Sequence, residues 1–206
     1  MSADVLAPRR SPNRPQPRGE LRRALLLDAL SVQLEHQSLA EVSVATVAEQ
    51  AGLGRSAFYF YFSSKNEAVT YLLSEIFDSQ ITEATAVIDG PGNPRDNLSH
   101  VLYLTVQSWT VQRRKFLAML DARDADVETR GIWDAWLGRY EDFVASYICE
   151  HSTCVAVPAC DLAHSLISLN ALVLERHLRG GGLDRPESVH AALEHVWIAA
   201  IFGPAV

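Results

Sequence analysis

Residues Ser43 to Lys65 read SVATVAEQAGLGRSAFYFYFSSK. A short helical pattern spans Val44 to Gln50 and breaks at Ala51-Gly52; a second begins near Gly54. Two short helices across a glycine-containing turn are the helix-turn-helix pattern, whose second helix enters a DNA major groove. The second segment places Phe58 and Phe62 four residues apart on one face, where they can pack on the preceding helix. Arg55 and Tyr59 share another face, and DNA contacts draw on both residue types. Arg55 and Tyr59 are therefore candidates for base or methyl contacts; Ser43, Ser56, Tyr61 and Lys65 are candidates for phosphates.

Outward from this motif the chain reads as helix after helix. Leu27, Leu30 and Leu34 predict a first helix over about residues 20 to 36. Ser43 is placed to cap the second, and Ser64-Lys-Asn-Glu67 reads as a capping box opening a long fourth helix. That helix runs to the break at Asp89-Gly-Pro-Gly-Asn-Pro94 and is long enough to link the DNA head to a distant core. Five further patterns follow, over about 97–112, 115–123, 126–150, 159–178 and 187–202, the last with Asp184-Arg-Pro-Glu187 as a possible cap. No strand alternation or internal repeat is present. The expected fold is all-α: a helix-turn-helix head over 20–66 and a larger body for ligand binding and dimerisation over 67–206.

The head and the following helix resemble the TetR family of regulators, on Ala40 to Val69 and above all on the Phe58-Tyr59-Phe60-Tyr61-Phe62 run with its following Ser-Lys. Far away, His195-Val-Trp197-Ile-Ala-Ala-Ile-Phe-Gly203 resembles the final helix of one mycobacterial subgroup, so the similarity covers about residues 20 to 203. The resemblance implies a dimeric transcriptional repressor that binds a palindromic operator and is released by a small apolar ligand.

Composition fits. Over 206 residues, 48% are hydrophobic, enough for a substantial core. The net charge of −7 is unevenly divided. Residues 1 to 67 hold eight Lys+Arg against seven Asp+Glu, and the remainder ten against eighteen. Affinity for phosphate follows the contacting charges, so an acidic body does not exclude DNA. Residues 1 to 19 are rich in Pro, Arg and Ser and read as a segment unstructured when free. Two uses fit it: a basic arm reaching a neighbouring groove, or an inert solvated tail. No apolar run reaches the ~18 residues of a membrane span, and the Arg/Pro-rich start lacks a signal-peptide core. The expected location is cytoplasmic, with no membrane partner. Cys149, Cys154 and Cys160 read as reduced thiols. Cys149, His151 and Cys154 lack a fourth ligand at clear spacing, so no metal site and no cofactor are expected.

The helix after Asp126 carries Trp133, Trp136, Tyr140, Phe143 and Tyr147 along one stripe. Such groups can fill a core, or line a cavity while offering isolated hydrogen-bond donors. Trp109, Phe116 and Trp197 are candidates for the opposite walls. Asn170, inside the apolar run LISLNALVL, carries an amide that needs a partner if buried. The resemblance favours the cavity, because the similar subgroup lines an apolar tunnel with aromatics and asparagine. Trp133, Tyr140, Phe143, Asn170 and Trp197 match such positions, whereas Ile167 stands where another asparagine is expected.

The last two helices carry apolar residues on more than one face, as a homodimer interface requires. A dimer sets two recognition helices about 34–36 Å apart, one DNA turn. Three rival readings stand beside this one. Asp121, Arg123, Asp124, Asp126, Glu128 and His164 offer acid–base groups, but no nucleophile, metal or phosphate motif organises them. A helical carrier or sensor without DNA binding, and a transcriptional activator, are the other two.

Overall fold

The computed structural model describes residues 18–152 and 157–203. The expected arm over 1–19 lies outside them except for Arg18 and Gly19, which already belong to the first helix. Cys154 also lies outside. The described residues form nine helices: α1 (Arg18–Leu34), α2 (Val44–Gln50), α3 (Arg55–Tyr61), α4 (Lys65–Ile88), α5 (Pro94–Val111), α6 (Arg113–Ala125), α7 (Val127–His151), α8 (Ala159–Arg179) and α9 (Pro186–Phe202). Among them no strand occurs, as expected, and no helix is long and apolar enough to cross a membrane.

The head closes over a small core. Leu26, Leu30 and Leu34 of α1 meet Val47 and Ala48 of α2, Phe58 of α3 and Phe62, all buried. Phe58 and Phe62 pack with ring centroids 5.4 Å apart, as their spacing predicts. Between α2 and α3 the chain turns at Gly52, where φ is +68°, a conformation that costs a side-chain-bearing residue. Gln33, buried in α1, donates to Gln50 of α2 at 3.4 Å and accepts from Gln37 at 3.1 Å.

Several helix ends depart from the sequence reading. Ser43 occupies the N-cap of α2 without bonding through its hydroxyl. Ser64 caps α4 as expected, accepting from the Glu67 N–H. The Glu67 carboxylate, however, reaches past it to Ser63, accepting from its N–H at 2.6 Å and its hydroxyl at 2.7 Å. The cap of α9 is Arg185 rather than Asp184, with no side-chain bond. The 66/67 boundary falls inside the first turn of α4, so one helix belongs to both head and body.

In the body, α5 and α9 pack together, as do α7 and α8, while α4 runs against α5, α6 and α7. Phe77 of α4 is the hub of an aromatic cluster, with ring centroids 4.6 Å from Trp136, 5.8 Å from Phe116, and 5.9 Å from Trp133 and Tyr140. Each such pair adds about 0.5–1.5 kcal/mol beyond area burial, so α4 is anchored here.

Of the charged groups weighed for acid–base chemistry, all but Glu128 make ion pairs or cap a helix. Arg123 bridges Asp124 at 2.8 Å and Glu175 at 3.0 Å, and Arg179 reaches Asp121, Asp124 and Glu175. Asp126 caps α7 through the Thr129 N–H, and His164 pairs with Glu141.

Candidate DNA interface and ligand chamber

On the head, Ser43, Arg55, Tyr59 and Lys65 line one groove, joined by Ser63 and Ser64. Arg55 and Tyr59 sit one turn apart on α3, so the guanidinium reaches the phenol oxygen at 3.4 Å and lies 5.6 Å from the ring centroid. That bond raises the Arg55 pKa further, keeping the cation charged. Tyr59 is 48% exposed, and Ser56 is exposed on the same helix. The two sequence-predicted base contacts thus form one solvent-facing pair.

Two nominated residues are used differently. The Lys65 ammonium donates to the carbonyls of Leu39, Ala40 and Val42 at 2.7, 3.1 and 2.9 Å. An ammonium has three protons, and all three have acceptors here. Without DNA, Lys65 fastens the loop before α2 with the same ammonium that was expected to meet phosphate. Tyr61 is half-buried against the core, with its oxygen beside Gly19 at the start of α1. It is not part of the groove. Phe60, which no residue-type argument singled out, is 80% exposed and stacks edge-on with Tyr61 at 5.0 Å. The signal for it was the helical period: Phe60 falls on neither the Phe58 nor the Tyr59 face.

In the body, a chamber of about 90 Å3 opens among α4, α5, α7, α8 and α9. One water needs only ~10–15 Å3 measured on the same water-sized sphere, so this is more than imperfect packing. Trp109, Tyr140, Phe143, Asn170 and Trp197 line it, as their residue types suggest, and Ile167 does too. Phe116, Trp133 and Trp136 do not. They are buried behind it, with Trp109 stacked on Phe116 at 4.2 Å and Trp133 edge-on to Trp109 at 6.1 Å. The stripe of α7 is longer than the cavity. Its N-terminal end meets the Phe77 cluster as solid core, and only its later turns reach the gap.

Two polar atoms of the lining stand without partners. The Asn170 side-chain oxygen and the Trp197 indole N–H are buried and unbonded. Leaving such groups unpaired costs about 1–3 kcal/mol each, which a ligand carrying the complementary atoms would recover. The Trp136 N–H is also unbonded, but that ring lies in the core.

Residues from α4 that the sequence reading passed over complete the wall: Phe77, Gln80, Ala84 and Ile88. Their spacing of three, four and four was the available signal, with a glutamine inside an apolar stripe. Gln80 is held on two sides. It accepts from the Tyr140 hydroxyl of α7 at 3.0 Å and donates to the Ser108 hydroxyl of α5 at 2.8 Å. Tyr140 lies within reach of the Phe77 carbonyl as well, at 3.2 Å. Burial pushes the Tyr140 phenol far above its ordinary range, so it remains a neutral donor. Nearby, Tyr147 is pushed up to about 12 by burial, and its hydroxyl donates to the Pro94 carbonyl at 2.6 Å. Among the described residues no cluster of three or more His, Cys, Asp or Glu is arranged to hold a metal.

Comparison with known proteins agrees with this architecture. Residues 26–70 match the family model of bacterial regulatory proteins, tetR family, and residues 98–203 match that of the C-terminal domain of the transcriptional regulator EthR. The HTH-type transcriptional regulator EthR of Mycolicibacterium smegmatis is 30% identical over 202 residues, covering 91% of this chain and 89% of that protein. Its counterpart in Mycobacterium tuberculosis is 28% identical over 198 residues, with 91% and 90% covered. Among solved structures, a TetR-family regulator from Syntrophomonas wolfei superposes with a TM-score of 0.74 over 92% of this chain and 100% of its own, at 14% identity. That likeness concerns the fold alone. A helix-turn-helix head, nine helices in all among the described residues, and two family matches spanning both halves converge: this chain belongs to the TetR family of transcriptional regulators, with a C-terminal domain of the EthR type.

Proposed function

We propose that this regulator is a dimeric repressor that reads a palindromic operator through α3 and releases it when a small, mainly apolar molecule fills the body chamber. One observation carries the reading: α4 is both a chamber wall and the C-terminal neighbour of the DNA head. Its 24 residues extend about 36 Å at 1.5 Å each, from Lys65 beside the groove to Ile88 beside the chamber. A ligand that wedges Gln80 or Ala84 outward moves the same rod that packs on α1 of the head. It needs to favour the displaced state by only a few kcal/mol, since each 1.4 kcal/mol is tenfold in operator affinity.

The outer faces of α8 and α9 support the dimer. Leu172 is 55% exposed and Val196 is 40% exposed, on helices whose other faces are buried in the body. A twofold axis across these faces pairs each with itself. A regulator of this kind works beside the chromosome, in the cytoplasm.

The test is fluorescence anisotropy of labelled DNA from upstream of the gene, at two salt concentrations. Sequence-selective binding that weakens with salt is expected, and Arg55→Ala with Tyr59→Ala should abolish the selectivity. Binding without selectivity, or none, would leave the carrier reading in its place.

A further inference from the structure

Among the described residues of the head, Phe60 is the most exposed large apolar side chain, at 80%. The direction it takes follows from helix geometry. Helix α3 turns about 100° per residue, so its faces can be placed by residue number. Phe58 points into the head core and is 1% exposed. Phe60 stands about 200° round the helix from it, almost diametrically opposite, and the exposed Ser56, one turn earlier, stands about 160° round. Arg55 and Tyr59 stand about 60° and 100° round, on the flank that borders the groove shared with Ser43 and Lys65. A recognition helix enters the major groove with the side turned away from its own domain. The side chain aimed at the groove floor is therefore Phe60, and Arg55 and Tyr59 reach the DNA from one flank.

We propose that Phe60 is a specificity-determining residue that reads thymine, its ring packing on the 5-methyl group of one thymine in each half of the operator. This rests on the reading of α3 as the DNA-binding helix and adds a base preference to it. The chemistry of the side chain leaves few other targets. A phenyl ring has no hydrogen-bonding atom, so it can neither hold a phosphate nor bond to a base edge. The groups that base pairs present in the major groove are polar donors and acceptors, with the thymine methyl as the apolar exception. Laid over a polar edge, the ring would strip water from groups it cannot bond, which is costly. Laid over the methyl, it removes apolar surface from water on both partners. Cytosine shares the pyrimidine ring but lacks the methyl, so one apolar contact is enough to discriminate. Tyr61, partly buried against the core, backs the Phe60 ring on one side, which leaves the other side free for DNA.

The experiment uses the full chain and the labelled upstream duplex, made with thymine and then with deoxyuridine at each thymine position in turn, symmetric positions together. Deoxyuridine lacks the methyl group and keeps every hydrogen-bonding atom. At one position per half-site the wild type is expected to bind the deoxyuridine duplex about tenfold more weakly, two methyl contacts being lost. Phe60→Ala should bind the thymine duplex more weakly and no longer distinguish it from the deoxyuridine duplex at that position. Phe60→Leu, which keeps an apolar side chain, should still distinguish them. Raising the salt should weaken binding overall but leave the thymine-to-deoxyuridine ratio unchanged, because the contact carries no charge. Phe60 lies outside the head core, so the fold is expected to survive, and circular dichroism checks this. A methyl effect that is the same in wild type and Phe60→Ala at every position, or no methyl effect at all, would overturn the proposal while leaving selective DNA binding in place. If no upstream duplex is bound selectively, the DNA-binding reading fails and this inference fails with it.

Discussion

Replacing Tyr140 by Phe removes one hydroxyl and with it the hydrogen bond from α7 to the chamber-facing Gln80 of α4. That hydroxyl donates to Gln80 at 3.0 Å, the better acceptor, because the Phe77 carbonyl at 3.2 Å is already inside the α4 ladder. A net neutral hydrogen bond contributes about 0.5–1.5 kcal/mol, and an orphaned buried acceptor adds about 1–3 kcal/mol. Here the second cost sits at its low end, since Gln80 also lines a polar cavity and water can replace the lost donor. The expected destabilisation is therefore about 1.5–2.5 kcal/mol, a fall in Tm of roughly 3–10 °C for a chain of this size. Gln80→Leu should cost more, because the bond to Ser108 at 2.8 Å goes too. If the two residues act as one bridge, the double variant will show a coupling energy of about 1 kcal/mol. Urea unfolding followed by circular dichroism measures it, at fixed protomer concentration because a dimer's stability depends on concentration. The same cycle run on operator affinity should show about a fivefold non-additivity. Additivity to within about 0.3 kcal/mol in both assays would refute the claim that Tyr140 and Gln80 join the chamber to α4.

Lys65→Met should lower head stability by about 1–3 kcal/mol, since three carbonyls lose a charged donor; thermal unfolding checks this, and an unchanged Tm with weaker operator binding would favour the phosphate role instead. Leu172→Glu should shift the protein towards monomer in sedimentation velocity, because a charge would be buried against its own symmetry mate. For Glu175, burial pushes the pKa up, but hydrogen bonds from Arg123 and Arg179 outweigh it and hold the carboxyl below its ordinary range. Its contribution is thus present above the ordinary carboxylate pKa of about 4.3 and is lost as pH falls through the depressed value. Glu175→Gln should therefore flatten the decline of Tm in acid, while leaving two arginines less well paired at neutral pH.

The helix-turn-helix was legible because its determinants are local. Gly52 permits the turn, Phe58 and Phe62 share a face by period alone, and Arg55 and Tyr59 share another. The helical body was legible for the same reason, with ends displaced by a residue or so, as where Arg185 rather than Asp184 stands at the N-cap of α9.

Other roles depend on distances that no pattern contains. Trp133 and Trp136 stand on the same stripe as Tyr140 and Phe143, yet the first two are core and the last two face the chamber. What separates them is where α4, α5, α8 and α9 diverge, a property of five packed helices rather than of α7. Lys65 carries a phosphate-binder's charge, but the loop carbonyls of residues 39, 40 and 42, some 25 positions away in the chain, converge on it first. Gln80 reads as a lone polar residue until α5 and α7 bring Ser108 and Tyr140 to its two ends. Sequence alone determined helix periodicity, turn chemistry and the solvent-facing Arg55–Tyr59 pair, because backbone and near-neighbour energies dominate there. Tertiary structure decided which aromatics bound a cavity and which polar groups go unpaired, because those depend on contacts between residues far apart in the chain.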